Sequence, residues 1–141
     1  MYPPVGYHFR VVFKAFPDID NNFLCVSGLE ATMEIDPSAT SQSKKTAQVM
    51  PVYSTLLLTR AVEDVGNSSF SKWIFDSLGK RTLNPLDEAR IELLDENNAP
   101  SLNWTIRQIT LKSWKLGELH AQKSEVLLET IELSYRQLAA G

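Results

Sequence analysis

The alternation of apolar and polar residues predicts a chain built mainly from β-strands. In residues 7–14, Tyr7, Phe9, Val11 and Phe13 fall on one side and His8, Arg10, Val12 and Lys14 on the other. In residues 29–36, Leu29, Ala31, Met33 and Ile35 share one face, and Glu30, Thr32, Glu34 and Asp36 share the other. Successive side chains of a strand point to opposite faces, so each segment predicts a strand with one packed face and one face toward water.

Between these strands lie segments of turn or loop composition. Residues 16–22 are rich in turn formers, and Phe23 to Val26 resumes an extended pattern that Gly28 interrupts, which predicts a bulge or sharp bend. Pro37 to Gln48 is polar and has no periodicity, which predicts an exposed loop of about a dozen residues. Thr55 to Val62 has the composition of a strand.

One segment changes to a helical period. From Asn67 to Gly79, the apolar residues Phe70, Trp73, Ile74 and Leu78 fall on one face of an α-helix. Asn67 or Ser68 is expected to cap its start, and Gly79 is expected to close it with a positive φ.

The second half of the chain returns to strands. Ala89 to Asp95 and Leu102 to Ile109 flank a polar turn and predict a hairpin, Leu111 to Leu116 predicts a short strand, and Glu125 to Arg136 predicts a long final strand. Glu129 falls on the apolar face of that last strand. About seven strands and one helix predict a single domain over residues 1–141, a mainly antiparallel β-barrel or sandwich with the helix packed on it.

Composition limits the function classes. The chain has 141 residues and a net charge of −3, which argues against a protein that coats nucleic acid. A single cysteine, Cys25, permits no disulfide within the chain and is expected to be a buried small hydrophobe in a protein that folds in a reducing compartment. The N-terminus lacks the pattern of a signal peptide, and the apolar runs are too short to span a bilayer, so we expect cytoplasmic assembly without membrane insertion.

Candidate chemistry is sparse. His8 and His120 belong to no metal-binding spacing, and Cys25 has no neighbouring base to activate it. Glu30 and Glu34 lie about 13 Å apart on an extended strand, which is too far for a glycosidase pair. We therefore predict no catalytic residue, no metal and no cofactor, and expect a protein that is not an enzyme.

Six segments, in order, resemble the tail-tube proteins of contractile phage tails and phage-like injection systems. They are YPPVGYHFRVVF (2–13), CVSGLEATMEI (25–35), VMPVYSTLLLTRAV (49–62), FSKWIFD (70–76), ARIELLDENNAPSLNWTI (89–106) and SEVLLETIELSY (124–135). The chain departs from the family pattern in three places: Pro37 to Gln48 contains no glycine, Met50 replaces a leucine, and Ile109 to Trp114 lacks an aromatic-proline pair.

The resemblance implies a fold like that of type VI secretion tube subunits and a structural role. Six copies form a ring whose strands join into an inner barrel, and the rings stack into a hollow tube that a contracting sheath drives into a target. The implied partners are further copies, sheath subunits, baseplate or spike proteins, and a cargo effector or DNA in the channel. The departures leave open a specialised ring that starts or ends the tube.

Two hypotheses concern particular residues. The acidic-polar face Glu30, Thr32, Glu34 and Asp36, or Glu132 with its neighbours on the last strand, lines the channel and makes it negative. The loop from Pro37 to Val49, with Ser38, Thr40, Ser43, Lys44 and Lys45, makes contacts between rings. Apart from the family, a free-standing barrel that binds a small ligand is the competing interpretation.

Overall fold

The computed structural model describes residues 8–17, 23–36, 48–62, 69–81, 83–119, 121 and 127–141. Nine strands and one helix occur in these ranges: β1 His8–Phe13, β2 Phe23–Ser27, β3 Ala31–Ile35, β4 Val49–Tyr53, β5 Leu56–Ala61, α1 Ser69–Lys80, β6 Leu86–Leu94, β7 Pro100–Leu116, β8 Leu128–Ser134 and β9 Gln137–Ala140. The predicted fold class, mainly β with one helix and antiparallel pairing, is confirmed.

Seven strands form one sheet and two form a separate ribbon. The large sheet runs β1-β6-β7-β8-β5-β2, and β9 pairs with β7 outside this path. Strands β3 and β4 pair only with each other among the described residues, and we call them the β3–β4 ribbon. Strand β4 escapes prediction from the sequence because its five residues include Pro51 and show no alternation.

Strand β7 is the longest element and joins two parts of the sheet. Its first part pairs with β6 on one edge and β9 on the other, whereas its last part pairs with β8. Between these parts Gln108 has a φ of 55°, and the register with β8 shifts between Leu111 and Ser113. Such irregularities bend and twist a strand, so the predicted separate strands 102–109 and 111–116 are one bent strand.

The helix packs through an aromatic face. Phe70, Trp73 and Ile74 are buried as predicted, and the Trp73 indole N–H donates to the carbonyl oxygen of Asn84 at 2.9 Å. Leu78, predicted on the same face, is 50% exposed, and the buried residues of the helix all lie in its first half, from Phe70 to Ile74.

The end of the helix differs from the prediction. Instead of closing at Gly79 with a positive φ, the helix continues to Lys80, and Arg81 takes the left-handed conformation with a φ of 56°. The predicted capping residues Asn67 and Ser68 lie outside the described residues.

Candidate subunit interface

The two end strands of the large sheet approach each other without pairing. Phe13 of β1 and Phe23 of β2 both contact the ring of Phe70, with centroid distances of 4.7 and 6.2 Å. Strand β1 pairs only with β6, and β2 only with β5, in the part of the chain that the structure describes. The sheet therefore curls into an incomplete barrel. We call the space between β1 and β2 the seam, and helix α1 fills one end of it.

The other end of the seam is open. A groove of about 370 Å³ lies there, lined by Phe9, Leu24, Cys25, Val26, Leu29, Ile91, Leu93 and Trp104. Several of these side chains continue the apolar core out to the surface. Leu24 at the rim of the groove is 62% exposed. Cys25, predicted to be buried, is exposed, because it lies on a strand at the edge of the sheet and no described strand pairs beyond it.

The β3–β4 ribbon presents one apolar face to solvent. Residues directly opposite in an antiparallel pair share a face, and the register places Ala31 opposite Tyr53, Met33 opposite Pro51 and Ile35 opposite Val49. On this face Met33 is 60% exposed and Ile35 71% exposed. The strand predicted from the alternation in residues 29–36 is confirmed. The prediction that the apolar face of this strand is packed is wrong for the single chain, because no described element covers Met33 or Ile35.

A glycine and a tyrosine set the position at which the ribbon leaves the sheet. Gly28, between β2 and β3, has a φ of 97°, and a Cβ added to it would lie 1.9 Å from the carbonyl oxygen of Thr55. The predicted bend at Gly28 is therefore a tight corner that only glycine permits. The Tyr135 hydroxyl donates to the Gly28 carbonyl at 2.8 Å and accepts from the Glu30 amide at 3.3 Å.

Burial governs the ionisation of this tyrosine. Removal from water raises the pKa of Tyr135 above its ordinary value of 10.0, and the backbone hydrogen bond to Glu30 offsets part of that rise. The Tyr53 ring on β4 lies 5.1 Å from the Tyr135 ring, so Tyr135 contacts the ribbon as well as its corner.

A buried ion pair connects the helix with the sheet. The Arg60 guanidinium donates to the carboxylate of Glu129 and, at 2.9 Å, to the Ser71 hydroxyl. It also lies 5.7 Å from the centre of the Phe23 ring and 5.3 Å from that of Phe70. The Trp114 indole donates to the same carboxylate at 3.2 Å. The charge that the sequence places on an apolar strand face is thus satisfied inside the core, and the cluster holds the filled end of the seam.

The residues predicted to line a channel fall on two separate sheets. Thr32 and Glu34 lie on the face of the ribbon opposite its apolar face, and Glu30 and Asp36 flank β3. Glu132 lies on β8, on the outward face that it shares with Leu57 and Ser113. The structure therefore does not bring the two sets together. Ser38, Thr40, Ser43, Lys44 and Lys45, predicted for contacts between rings, lie outside the described residues.

We also searched the described residues for a metal-binding group and for a membrane-spanning helix. Among them, no group of three or more His, Cys, Asp or Glu side chains is placed to hold a metal ion. No helix in these ranges combines the length and apolar character needed to cross a membrane.

Several solved structures have a similar fold. The chain is similar to a protein in the tube-terminating cap of the anti-feeding prophage, with 17% identity and a TM-score of 0.69 over 100% of this chain and 92% of that one. A protein of the sheath–tube complex of the PVC extracellular contractile injection system matches with 18% identity and a TM-score of 0.66, over 99% and 92%. Hcp1 from Flavobacterium johnsoniae matches with 13% identity and a TM-score of 0.58, over 94% of each chain.

These identities are low enough that the structural matches establish the fold alone. No curated protein matches the chain. The family assignment comes from the sequence itself, because residues 5–139 match the family described as T4-like virus tail tube protein gp19. The resemblance predicted from the six segments is thereby confirmed: the chain belongs to the T4-like phage tail tube family.

Proposed function

We propose that this chain is a structural subunit of the inner tube of a phage tail or contractile injection system. Six copies form a ring, and the rings stack into a hollow tube that delivers cargo or DNA. The observation that carries this proposal is the incomplete barrel, whose end strands β1 and β2 each leave one edge without a partner among the described residues. Exposed strand edges favour pairing with other chains, and identical copies arranged around an axis would satisfy all of them.

The family and the related structures support the choice of partner. The similar proteins belong to a tube-terminating cap and to a sheath–tube complex. By analogy, we propose sheath and baseplate proteins as the partners of this chain. The role is mechanical, and no residue is proposed to act in catalysis.

Electron microscopy of the purified protein tests the proposal. Rings with six-fold symmetry, or tubes made from them, are the expected result. Rings that never stack would favour the alternative, a ring that starts or ends the tube and joins it to the baseplate or cap. Protein that stays monomeric at every concentration, alone or mixed with sheath and baseplate proteins, would overturn both.

We also propose that the outward face of β2, β5, β8 and the end of β7 lines the channel. These strands are contiguous and antiparallel, and small or polar residues dominate this face, including Thr59, Thr130, Glu132, Ser113 and Lys115. A continuous wall with such residues offers few apolar contacts to a passing cargo. Glu132 and Lys115 balance each other in charge, so a negative channel requires the acids of β3 to face it as well.

The loop from Pro37 to Val49 is proposed to contact the next ring. Asp36 and Gln48, the described residues on either side of its middle part, lie at the end of the β3–β4 ribbon away from the Gly28 corner, where the Asp36 amide donates to the Gln48 carbonyl at 2.9 Å. Deletion of residues 38–47 is expected to leave rings intact and stop tube growth. Normal tubes from this variant would refute the contact.

A further inference from the structure

The chain carries two apolar surfaces that its described elements leave uncovered. One is the groove at the open end of the seam, and the other is the apolar face of the β3–β4 ribbon. Both are defined by described residues, and they lie on different sheets. Exposed apolar surface of this kind in a soluble protein marks a place where another surface binds.

The groove has the character of an unfinished core. At the filled end of the seam, Phe70 of α1 packs between Phe13 and Phe23. At the open end, Phe9 and Val26 face a space that no described side chain fills. Because protein interiors pack densely, a gap beside an apolar core calls for apolar side chains from elsewhere.

The ribbon has the shape and composition to supply them. Its five residue pairs make a strip about 17 Å long. On one face Ala31, Met33, Ile35, Val49 and Pro51 extend away from Tyr53, which packs on Tyr135 of its own chain. The ribbon leaves the sheet at Gly28, beside the groove residue Leu29, and the corner at Gly28 is held by Tyr135. Met33 and Ile35 remain more than half exposed there, so the ribbon does not cover the groove of its own chain.

We propose that the apolar face of the β3–β4 ribbon of one copy covers the open seam groove of a neighbouring copy. The contact joins two different surfaces, and a contact of that type repeats from copy to copy, closing a ring or continuing through a stack. This inference rests on the proposed function, because it requires the chain to assemble with itself. It adds which two surfaces meet.

Disulfide trapping between copies tests the contact. Every protein carries Cys25→Ser, which removes the native thiol. One protein adds Leu24→Cys at the groove rim, and a second, longer by a tag, adds Met33→Cys on the apolar face of the ribbon. The matched control replaces Met33→Cys by Glu34→Cys, the next residue on the same strand, which points to the opposite face. The proteins are mixed in equal amounts, allowed to assemble, oxidised and separated by mass without reductant.

The mixed-mass dimer should form several-fold more from the position 33 pair than from the position 34 pair. If rings or tubes are visible by electron microscopy but the two pairs give equal or negligible mixed dimer, the inference is wrong and the proposed function stands. If neither mixed dimers nor rings form under any condition, both fail. Far-ultraviolet circular dichroism of each single variant verifies that the folds are intact.

Discussion

Arg60 and Glu129 form an ion pair inside the core, with side chains only 1% and 7% exposed. The Ser71 hydroxyl and the Trp114 indole add hydrogen bonds to it, so the pair links strands β5, β7 and β8 to helix α1. Its guanidinium lies against the rings of both Phe23 and Phe70, where the seam is filled. The pair thus helps to hold one end of the incomplete barrel while the other end stays open.

Removing one partner of this pair should be costly. Glu129→Leu leaves the Arg60 charge buried without its counter-ion, and we expect a loss of about 3–5 kcal/mol in the free energy of unfolding. The double variant Arg60→Met with Glu129→Leu removes both charges and should recover most of that loss. Urea titration followed by tryptophan fluorescence measures both values.

The exposed pair between Lys80 and Asp76 is the matched control. Its side chains are 62% and 45% exposed, so Asp76→Asn should change the free energy of unfolding by no more than about 0.5 kcal/mol. If Glu129→Leu has an equally small effect, the buried pair does not hold the core as described.

Gly28 offers a second test, of the corner that directs the ribbon. Gly28→Ala places a Cβ against the Thr55 carbonyl and forces alanine to a φ of 97°. Backbone strain of this kind costs on the order of 1–3 kcal/mol, so we expect lower thermal stability or a displaced ribbon. Differential scanning calorimetry measures the first, and the disulfide yield from position 33 reports the second.

Gly79→Ala is the control for that substitution. Gly79 lies in helix α1, and a Cβ added there meets no atom within 4 Å. Alanine in place of glycine in a helix should raise the free energy of unfolding by roughly 0.5–1 kcal/mol. If Gly28→Ala and Gly79→Ala change the free energy of unfolding equally, the claim that the turn at position 28 requires glycine is wrong.

These two glycines also show how far the local pattern predicts the fold. A glycine inside a strand pattern predicts the bend at Gly28, because strands tend to place an interior glycine where they bend or bulge. Gly79 matches the pattern of a helix end equally well, yet the helix continues and Arg81 takes the positive φ. Local pattern indicates where a chain is able to turn, and tertiary contacts decide where it does.

Alternation along a strand also predicts which residues share a face better than it predicts what covers that face. Alternation in residues 29–36 correctly assigns Met33 and Ile35 to one face, but it cannot say whether the cover comes from the same chain or another. The position of Glu129 on an apolar face indicates a buried partner. That partner, Arg60, lies 69 residues earlier, and only the pairing of β5 with β8 brings them together.

Tyr135 should make the free energy of unfolding depend on pH in the alkaline range. Burial raises its pKa in the folded state, so the neutral phenol is favoured by folding. The stabilisation is complete below the ordinary value of 10.0 and is lost as the pH rises through the higher folded pKa. Tyr135→Phe removes the hydrogen bonds to Gly28 and Glu30 and should cost about 1–2 kcal/mol at neutral pH.

The pH dependence distinguishes this role from simple packing. The melting temperatures of wild type and Tyr135→Phe should converge as the pH rises above about 10, because only the wild type loses a buried neutral phenol there. A difference that stays constant across that range would show that the hydroxyl is not the group responsible.

The proposed channel wall predicts size-dependent chemical access in assembled tubes. In a Cys25→Ser background, Glu132→Cys places a thiol on the outward face of β8, and Lys80→Cys places one at the exposed end of helix α1. In dispersed subunits both thiols should react with small maleimides and with maleimides carrying a bulky polymer. After assembly, the thiol at position 132 should still react with the small reagent but lose most of its reaction with the bulky one, because the polymer enters the channel only at the tube ends.

Glu34→Cys in the same assay tests the alternative, that the acidic face of β3 lines the channel. Unrestricted reaction of position 132 with the bulky reagent in intact tubes would place the β8 face on the outside, and the channel would then need a different wall.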